Sequence, residues 1–192
     1  LVLAVRPQVA AEVVPPLHIP ANRPIISVIA ALQIAQIAEW TGARRICRAI
    51  PLPFVETRQG VTPVFPPEPE AMALFDALGT ALPVQDLQTF DAYAAGSALM
   101  GSYFGLVETA QGWLTEQGLN EADAATYLRA LFGSLGDTLR DNPADLISLR
   151  EGHSTKGGLN ERGHQVFQAE GGGRALTLAL DAILARIASL RV

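Results

Sequence analysis

The first third of the chain alternates short apolar runs with segments of helical periodicity. Residues 1–5 form an uninterrupted apolar run, residues 24–29 (PIISVI) are a second buried-strand pattern, and residues 45–50 (RICRAI) are a third strand-like segment. Apolar runs of this length are typical of strands buried on both faces of a parallel sheet. Helices are predicted between them at 9–17 and 30–41, the second ending at Gly42. This succession predicts consecutive βαβ units.

Two further short strands follow at 60–65 and 81–84, with a helix predicted over 69–78 and ending at Gly79. After residue 85 the strand pattern stops. The pattern therefore predicts an α/β plus all-α protein, with one domain over 1–85 and an all-helical domain over 86–192.

Residues 86–117 have the pattern of one long helix, in which Ser97, Gly101 and Gly105 recur every four residues. A glycine inside a helix costs about 1 kcal/mol relative to alanine, so several in one helix indicate close approach of another helix. The alternative is two helices separated by a break near Gly96.

The remaining chain also has a helical pattern. Asn120 is a good cap for a helix that continues to about residue 139, and Asn142-Pro143 repeats the combination of a cap and a first-turn proline. Two last helices are predicted at 159–169 and 174–190, separated by three consecutive glycines.

A polar loop is predicted at residues 150–163, whose sequence is REGHSTKGGLNERG. It combines four glycines with serine, threonine and histidine in an otherwise apolar and alanine-rich chain. Such a loop can leave backbone N–H groups available to bind an anion. It is the first candidate for a functional site.

Composition and charge narrow the class of protein. The 192 residues are 49% hydrophobic and 17% charged, with a net charge of −5. The acidic balance argues against a nucleic-acid partner, and the high apolar content suggests an oligomer interface. The single cysteine, Cys47, excludes an intramolecular disulfide and is expected to be a core thiol. No secretory signal or membrane span is recognised, since the apolar run 24–38 is too short to cross a bilayer. We expect a soluble, cytoplasmic protein.

Several short stretches, taken in order, resemble the pyrroline-5-carboxylate reductase family. Each stretch is short, but their order is the same as in the family and covers nearly the whole chain. They are residues 3–8 (family pattern LAVKPQ), 26–31 (ISIAAG), 48–51 with 60–62 (RxMPN and GVT), 74–79 (LFxxLG), 91–104 (DAxTALSGSGPAYxF), 142–146 (HPAEL) and 154–159 (TTxAGL).

The resemblance implies a Rossmann domain that binds NADPH or NADH, followed by a helical domain that interlocks with its copy in a homodimer or a higher oligomer. The glycine-bearing helix would then pack in the dimer. The family opens with a strand and GxGxMG, which cradles the pyrophosphate; this pattern is absent here. We therefore expect only the C-terminal part of the Rossmann-like domain, with the missing part preceding this sequence in the complete protein.

The chain departs from the family patterns mainly at the expected active site. Residues 150–153 replace SPGG, residues 97–101 replace SGSGP, and residues 51–54 replace PNTP with loss of an asparagine near the nicotinamide. Arg6 takes the place of a lysine. These changes suggest a divergent member whose substrate is another cyclic imine or a small keto acid.

The resemblance also assigns candidate site residues. Thr155 matches the family threonine that contacts the substrate ring, with Ser154 beside it. His153, an addition to the family pattern, would be a proton donor near neutral pH. These three are the catalytic candidates. The substrate-binding candidates are Gly152, Lys156, Gly157, Gly158 and Ser97, and the cofactor-binding candidates are Val5, Arg6, Pro7, Ala30 and Pro51; no metal ligand is assigned.

Simpler interpretations exist for some of these residues. His153 is equally consistent with a solvated loop position, which is the favoured interpretation of Lys156, and Asn160 and Glu161 are consistent with capping of the next helix. His18 and His164 have no convergent partners in the sequence and are expected to be structural or solvent-facing.

The resemblance predicts an NAD(P)H-dependent reductase of proline biosynthesis, which reduces the C=N bond of a cyclic imino acid to L-proline or an analogue. Two alternatives remain: an oxidoreductase of the same scaffold acting on another small imine, keto or hydroxy acid, and a non-catalytic dimerisation module. A hydroxyacid dehydrogenase would be favoured by a lysine on the long helix, but residues 86–117 contain none.

Overall fold

The computed structural model describes residues 1–190 and contains one five-stranded sheet. The strands lie in the sheet in chain order: the first three are parallel, the fourth is antiparallel to the third, and the fifth is parallel to the fourth. All five predicted strands are confirmed. They are β1 (Val2–Leu3), β2 (Ile25–Ser27), β3 (Ile46–Ala49), β4 (Gly60–Phe65) and β5 (Gly79–Pro83).

The helices around the sheet agree with the predicted ones in number and order. The second helix, Ile34–Thr41, ends before Gly42 as predicted, with Gly42 in the left-handed conformation, but it begins four residues later than expected. The predicted loop after β3 contains one 3-10 turn, Pro53–Thr57. The helices are α1 (Pro7–Val13), α2 (Ile34–Thr41) and α3 (Pro69–Ala77).

Gly79 is the first residue of β5 rather than the end of the preceding helix. Its φ is +145°, and a Cβ built on it would lie 2.2 Å from the carbonyl oxygen of Gly60. Only glycine therefore allows β5 to start directly against β4.

The sheet is buried on both faces. Successive side chains of a strand point to opposite faces, and accordingly Ile25 and Ile26 of β2 belong to two different core clusters. Cys47 lies in the second cluster and is fully buried, as expected, and this burial raises the pKa of its thiol to about 12.

From residue 86 onward the described chain is helical and contains no strand, as predicted. The expected single helix over 86–117 is wrong: it is divided at Ala98, and the two-helix alternative is confirmed. The six helices are α4 (Leu87–Ser97), α5 (Leu99–Glu116), α6 (Glu121–Asp141), α7 (Leu146–Gly152), α8 (Leu159–Ala169) and α9 (Gly172–Ser189).

Of the two predicted helix caps, one is confirmed and the other is wrong. The Asn120 side chain accepts a hydrogen bond from the Ala122 N–H, as predicted. The Asn142-Pro143 pair does not start a helix, because Asp145 caps α7 by accepting from Ile147 and Ser148 N–H groups. Two of the three glycines expected to separate the last helices belong to α9.

The chain forms two compact units. One, here called the sheet unit, comprises Leu1–Ala98 together with the end of the chain from Leu180; the other, the helical unit, comprises Leu99–Ala179. The change from sheet to helices does come just before α4, near residue 86, but the two compact units divide after α4, between Ala98 and Leu99. The functional domains 1–85 and 86–192 stay a prediction, and residues 191–192 lie outside the described part. No described helix is long and apolar enough to span a membrane.

Candidate active site

A cavity of about 340 Å³ lies in the sheet unit, where the parallel strands β2 and β3 end. Its lining includes Ala30 and Pro51, which follow these strands, and Ser97 at the end of α4. Two predicted cofactor-binding residues and one predicted substrate-binding residue are therefore brought together. The carboxyl end of parallel strands is the usual ligand-binding edge of an open α/β sheet.

The turn after β2 has a constrained main chain beside this cavity. Ala31 has a φ of +60°, which is uncommon for a residue with a Cβ. The turn is held by two hydrogen bonds: the Ile29 N–H donates to Ser27 Oγ at 3.3 Å, and Gln33 Nε2 donates to the Ala31 carbonyl at 3.2 Å. Ala31 stands where the family pattern ISIAAG has glycine.

The predicted residues Val5, Arg6 and Pro7 follow β1, which is parallel to β2. They therefore come at the same edge of the sheet but are not part of the cavity lining. Arg6 is the residue before α1 and Pro7 its first residue, so proline starts the helix there.

Arg48 is a site residue that the sequence analysis did not single out. It lies on β3 and is only 5% exposed, and it lines the cavity with its guanidinium carbon 4.8 Å from the centre of the Phe90 ring. This position gives the cavity a cation stabilised by an aromatic face. The signal in the sequence was an arginine inside an otherwise apolar strand.

A second, apolar cavity of about 300 Å³ shares Ile50 and Ser97 with the first. Leu52 and Tyr93 contribute to its lining. Leu52 stands where the family pattern has the asparagine of PNTP, so this part of the cavity lining is apolar where the family pattern has a polar side chain.

The polar loop is shorter than predicted and belongs to the helical unit. Residues 150–152 are the last of α7, and residues 159–163 are the first of α8. The loop proper is therefore residues 153–158, because helical hydrogen bonds extend into both ends of the polar segment. It contains all the catalytic candidates and three of the substrate-binding ones; Gly152 ends α7.

Hydrogen bonds inside the loop use several of its N–H groups. The Gly158 N–H donates to the Thr155 carbonyl at 2.7 Å, and the Ser154 N–H donates to the Glu151 carbonyl at 3.0 Å. Gly157, with a φ of +74°, donates its N–H to Glu161 Oε2 at 2.6 Å. Backbone groups predicted to bind an anion are thus partly used by the chain itself.

The side chains of the loop are turned to solvent in this chain. Thr155, Lys156 and His153 are exposed, while Ser154 is half-buried. His153 Nδ1 lies 2.8 Å from the Leu149 carbonyl, which can only accept, so Nδ1 carries a proton and the neutral ring has its lone pair on Nε2. The His153 Nε2 atom is then the one that can exchange protons with a ligand.

The remaining histidines are not brought into either cavity. His18 is exposed and His164 is half-buried on α8. Within residues 1–190, no group of three or more His, Cys, Asp or Glu side chains is arranged to hold a metal ion.

Comparison with known proteins finds sequence similarity over nearly the whole chain. The chain is 27% identical to the pyrroline-5-carboxylate reductase of Haemophilus influenzae over 198 aligned positions, which cover 97% of this chain and 73% of that protein. No protein-family profile matches the chain.

Three solved structures have the same fold. The pyrroline-5-carboxylate reductase of Coxiella burnetii matches with a TM-score of 0.84 at 22% identity, covering 100% of this chain and 75% of that one. The Streptococcus pyogenes enzyme matches with a TM-score of 0.82 at 19% identity, covering 98% and 75%. The Plasmodium falciparum enzyme, solved with NADP bound, matches with a TM-score of 0.80 at 15% identity, covering 100% and 81%.

The sequence match and the structural matches point to the same proteins and extend over both the sheet and the helices. The chain is therefore similar in sequence to a pyrroline-5-carboxylate reductase and has the fold of three such enzymes.

Proposed function

We propose that this protein is an NAD(P)H-dependent reductase that reduces the C=N bond of a cyclic imino acid, giving L-proline or an analogue. The observation that carries the proposal is the cavity at the ends of β2 and β3, which gathers Ala30, Pro51 and Ser97. These residues were selected from three separate motifs, far apart in sequence.

The residues of this edge fit a nicotinamide cofactor. Ala30 is exposed and has a small side chain, so a ligand can approach the main chain after β2. Arg48 supplies a positive charge for an anionic or electron-rich group. When bound, the cofactor supplies the hydride, and the Plasmodium falciparum relative is described with NADP.

The loop 153–158 is proposed to bind and protonate the substrate. Thr155 is the candidate that contacts the substrate ring, and Ser154 is its neighbour. Lys156 offers a cation for the substrate carboxylate, and the His153 Nε2 atom can hold the proton that the imine nitrogen receives. Both His153 and Lys156 are exposed and therefore accessible to a ligand.

We propose further that the chain forms a homodimer through its helical unit. Of the buried hydrophobic residues, only Ala124 and Leu128 belong to the described helical unit. A Cβ built on Gly101 or Gly105 of α5 meets nothing within 4 Å in this chain. The glycine stripe therefore faces open space, which a helix of a second copy could occupy.

A different substrate within the same reaction class is favoured by one specific observation. Leu52 replaces an asparagine of the family pattern, and it lines the apolar cavity beside Ser97. An imine with an apolar substituent fits such a wall better than unsubstituted pyrroline-5-carboxylate does.

The test is NAD(P)H oxidation by the complete gene product with pyrroline-5-carboxylate, followed by a panel of substituted cyclic imines. We expect turnover with at least one imine, and a loss of kcat/KM of about 100-fold in Thr155→Ala. Thr115→Ala is the matched control, because Thr115 is an exposed threonine of α5 whose hydroxyl bonds only to its own helix, at the Gln111 carbonyl.

Turnover with a substituted imine but not with pyrroline-5-carboxylate would support the alternative substrate. Cofactor binding without turnover on any imine would direct the search to keto and hydroxy acids. Absence of both turnover and cofactor binding would refute the reductase and leave a non-catalytic dimerisation module.

A further inference from the structure

Two consecutive residues of α8 hold the two ends of the loop 153–158. Asn160 Nδ2 donates to the carbonyl of His153, the first residue of the loop, at 2.8 Å. Glu161 Oε2 accepts from the N–H of Gly157, near its last residue, at 2.6 Å. Both bonds join side chains of a regular helix to the main chain of the loop.

The loop has the conformation that these bonds require. Gly157 is left-handed, so its N–H can turn towards the start of α8. Gly158 lies so close to Thr155 that a Cβ there would be 2.8 Å from the Thr155 carbonyl oxygen. The Gly158-to-Thr155 hydrogen bond closes a tight turn around Lys156 and Gly157.

Glu161 is also well placed electrostatically. It lies in the first turn of α8, where a carboxylate interacts favourably with the helix dipole. A charge-assisted hydrogen bond of this kind is shorter and stronger than a neutral one, and the N–H group that it uses is no longer available to a ligand.

We propose that Asn160 and Glu161 are positioning residues, which fix the loop 153–158 and thereby the orientation of Thr155 towards the substrate. Neither side chain touches the reacting atoms. The inference rests on the proposed function, because the loop matters for catalysis only if Thr155 meets a substrate there. The Glu161 bond resembles the return bond of a capping box, displaced by one residue to Gly157, whereas the Asn160 bond reaches back seven residues to His153, and together the two bonds hold both ends of the loop.

The first experiment compares Glu161→Ala, Glu161→Gln and Asn160→Ala in the complete gene product by steady-state kinetics. We expect the KM for the imine to rise about 10-fold in Glu161→Ala and Asn160→Ala, because a loosened loop presents Thr155 poorly. The KM for NAD(P)H should not change. Glu161→Gln should return the imine KM close to its original value, because the amide oxygen keeps an acceptor for the Gly157 N–H.

The matched control is Glu170→Ala, which removes an exposed carboxylate just after the other end of α8. It should leave both KM values unchanged. A rise in both KM values, or the same effect in Glu170→Ala, would mean that the variants disturb the fold generally and would overturn the positioning role.

Hydrogen–deuterium exchange of peptides covering residues 153–158 separates this inference from the proposed function. We expect faster exchange in Glu161→Ala than in Glu161→Gln, with no change in Glu170→Ala. If the unsubstituted protein reduces no imine, the proposed function fails, while faster exchange still supports the holding of the loop. Unchanged exchange overturns the inference whatever the activity, and Asn160→Ala replaces Glu161→Ala if the latter does not fold.

Discussion

The sheet unit and the helical unit bury their apolar residues to very different extents. Among the described residues, twenty hydrophobic side chains form the buried core, and only two of them, Ala124 and Leu128, lie in the helical unit. The sheet unit fills both faces of its sheet from within the same chain. The helical unit contains many apolar residues but buries few of them within this chain.

The apolar side chains of the helical unit are mostly at its surface. Some neighbouring helices do pack, as the edge-to-face contact of Tyr103 with Phe132 at 5.7 Å shows. Others expose large residues: Leu159 is 91% exposed and Leu146 70%. Exposed apolar side chains in this number favour a surface that binds another protein. The sheet unit therefore buries a core within this chain, whereas the helical unit leaves most of its large apolar side chains exposed, where the proposed dimer would cover them.

The largest expected effect concerns the exposed apolar side chains of the helical unit, which the proposed dimer would cover. Leu131, Leu135 and Leu139 are exposed and follow one another every four residues on α6. A charge in the middle of this stripe would be buried without a partner in a dimer. We expect Leu135→Glu to weaken association by about 3 kcal/mol or more, measured as a fall in mass from dimer to monomer by light scattering.

Thr126→Glu is the control for this substitution. Position 126 is nine residues before Leu135 and therefore on the opposite side of α6. It should leave the mass unchanged. A wild-type protein that is monomeric at micromolar concentration, or a Leu135→Glu protein that keeps the wild-type mass, would contradict the dimer.

The second prediction concerns the self-contained core of the sheet unit. Ile25 is fully buried on β2, so Ile25→Ala leaves a cavity and should lower the free energy of unfolding by about 3 kcal/mol. Labelling of the buried Cys47 thiol by a disulfide reagent measures opening of this unit. We expect much faster labelling in Ile25→Ala, with no dependence on protein concentration.

The same change at an exposed site gives the contrast. Ile147→Ala, on α7 of the helical unit, removes a side chain that is 65% exposed. It should leave the labelling rate of Cys47 unchanged. If both substitutions accelerate the labelling of Cys47 equally, the core of the sheet unit does not depend on Ile25 more than on an exposed residue of the helical unit.

The sheet was well predicted from the sequence because buried strands leave a direct pattern. Runs such as 24–29 are too apolar and too short for anything but a strand between helices. The helical segment was less predictable at its ends. The division at Ala98 is marked only by the nearby Gly96, while the regular spacing of Ser97, Gly101 and Gly105 favoured a single helix. Asp145 was overlooked as a cap because Asn142-Pro143 offered the stronger local signal.

The candidate site was predictable only in part. Motif resemblance selected Ala30, Pro51 and Ser97, which the fold gathers on one cavity. Arg48 was missed as a cavity residue, because whether a charge in a strand faces a cavity depends on the elements packed around it. The bonds of Asn160 and Glu161 to the loop were also missed, since the sequence suggested only helix capping.

The smallest expected effect concerns the turn after β2, which borders the proposed cofactor cavity and has a strained main chain. Ala31 has a φ of +60° beside the cavity, a conformation that disfavours any residue with a Cβ. Ala31→Gly should raise the free energy of unfolding by about 1 kcal/mol, because the left-handed strain is relieved, although the more flexible unfolded chain offsets part of this gain. Urea denaturation measures the change.

Arg58→Gly is the matched control for this substitution. Arg58 is the other described non-glycine residue with positive φ, at +57°, and it lies outside the cavity lining. We expect a similar gain in stability from both substitutions, but a changed affinity for NAD(P)H only in Ala31→Gly, because only that turn borders the proposed cofactor site. If neither substitution raises the free energy of unfolding, the two turns are not strained. If both change the NAD(P)H affinity equally, the Ala31 turn does not border the cofactor site.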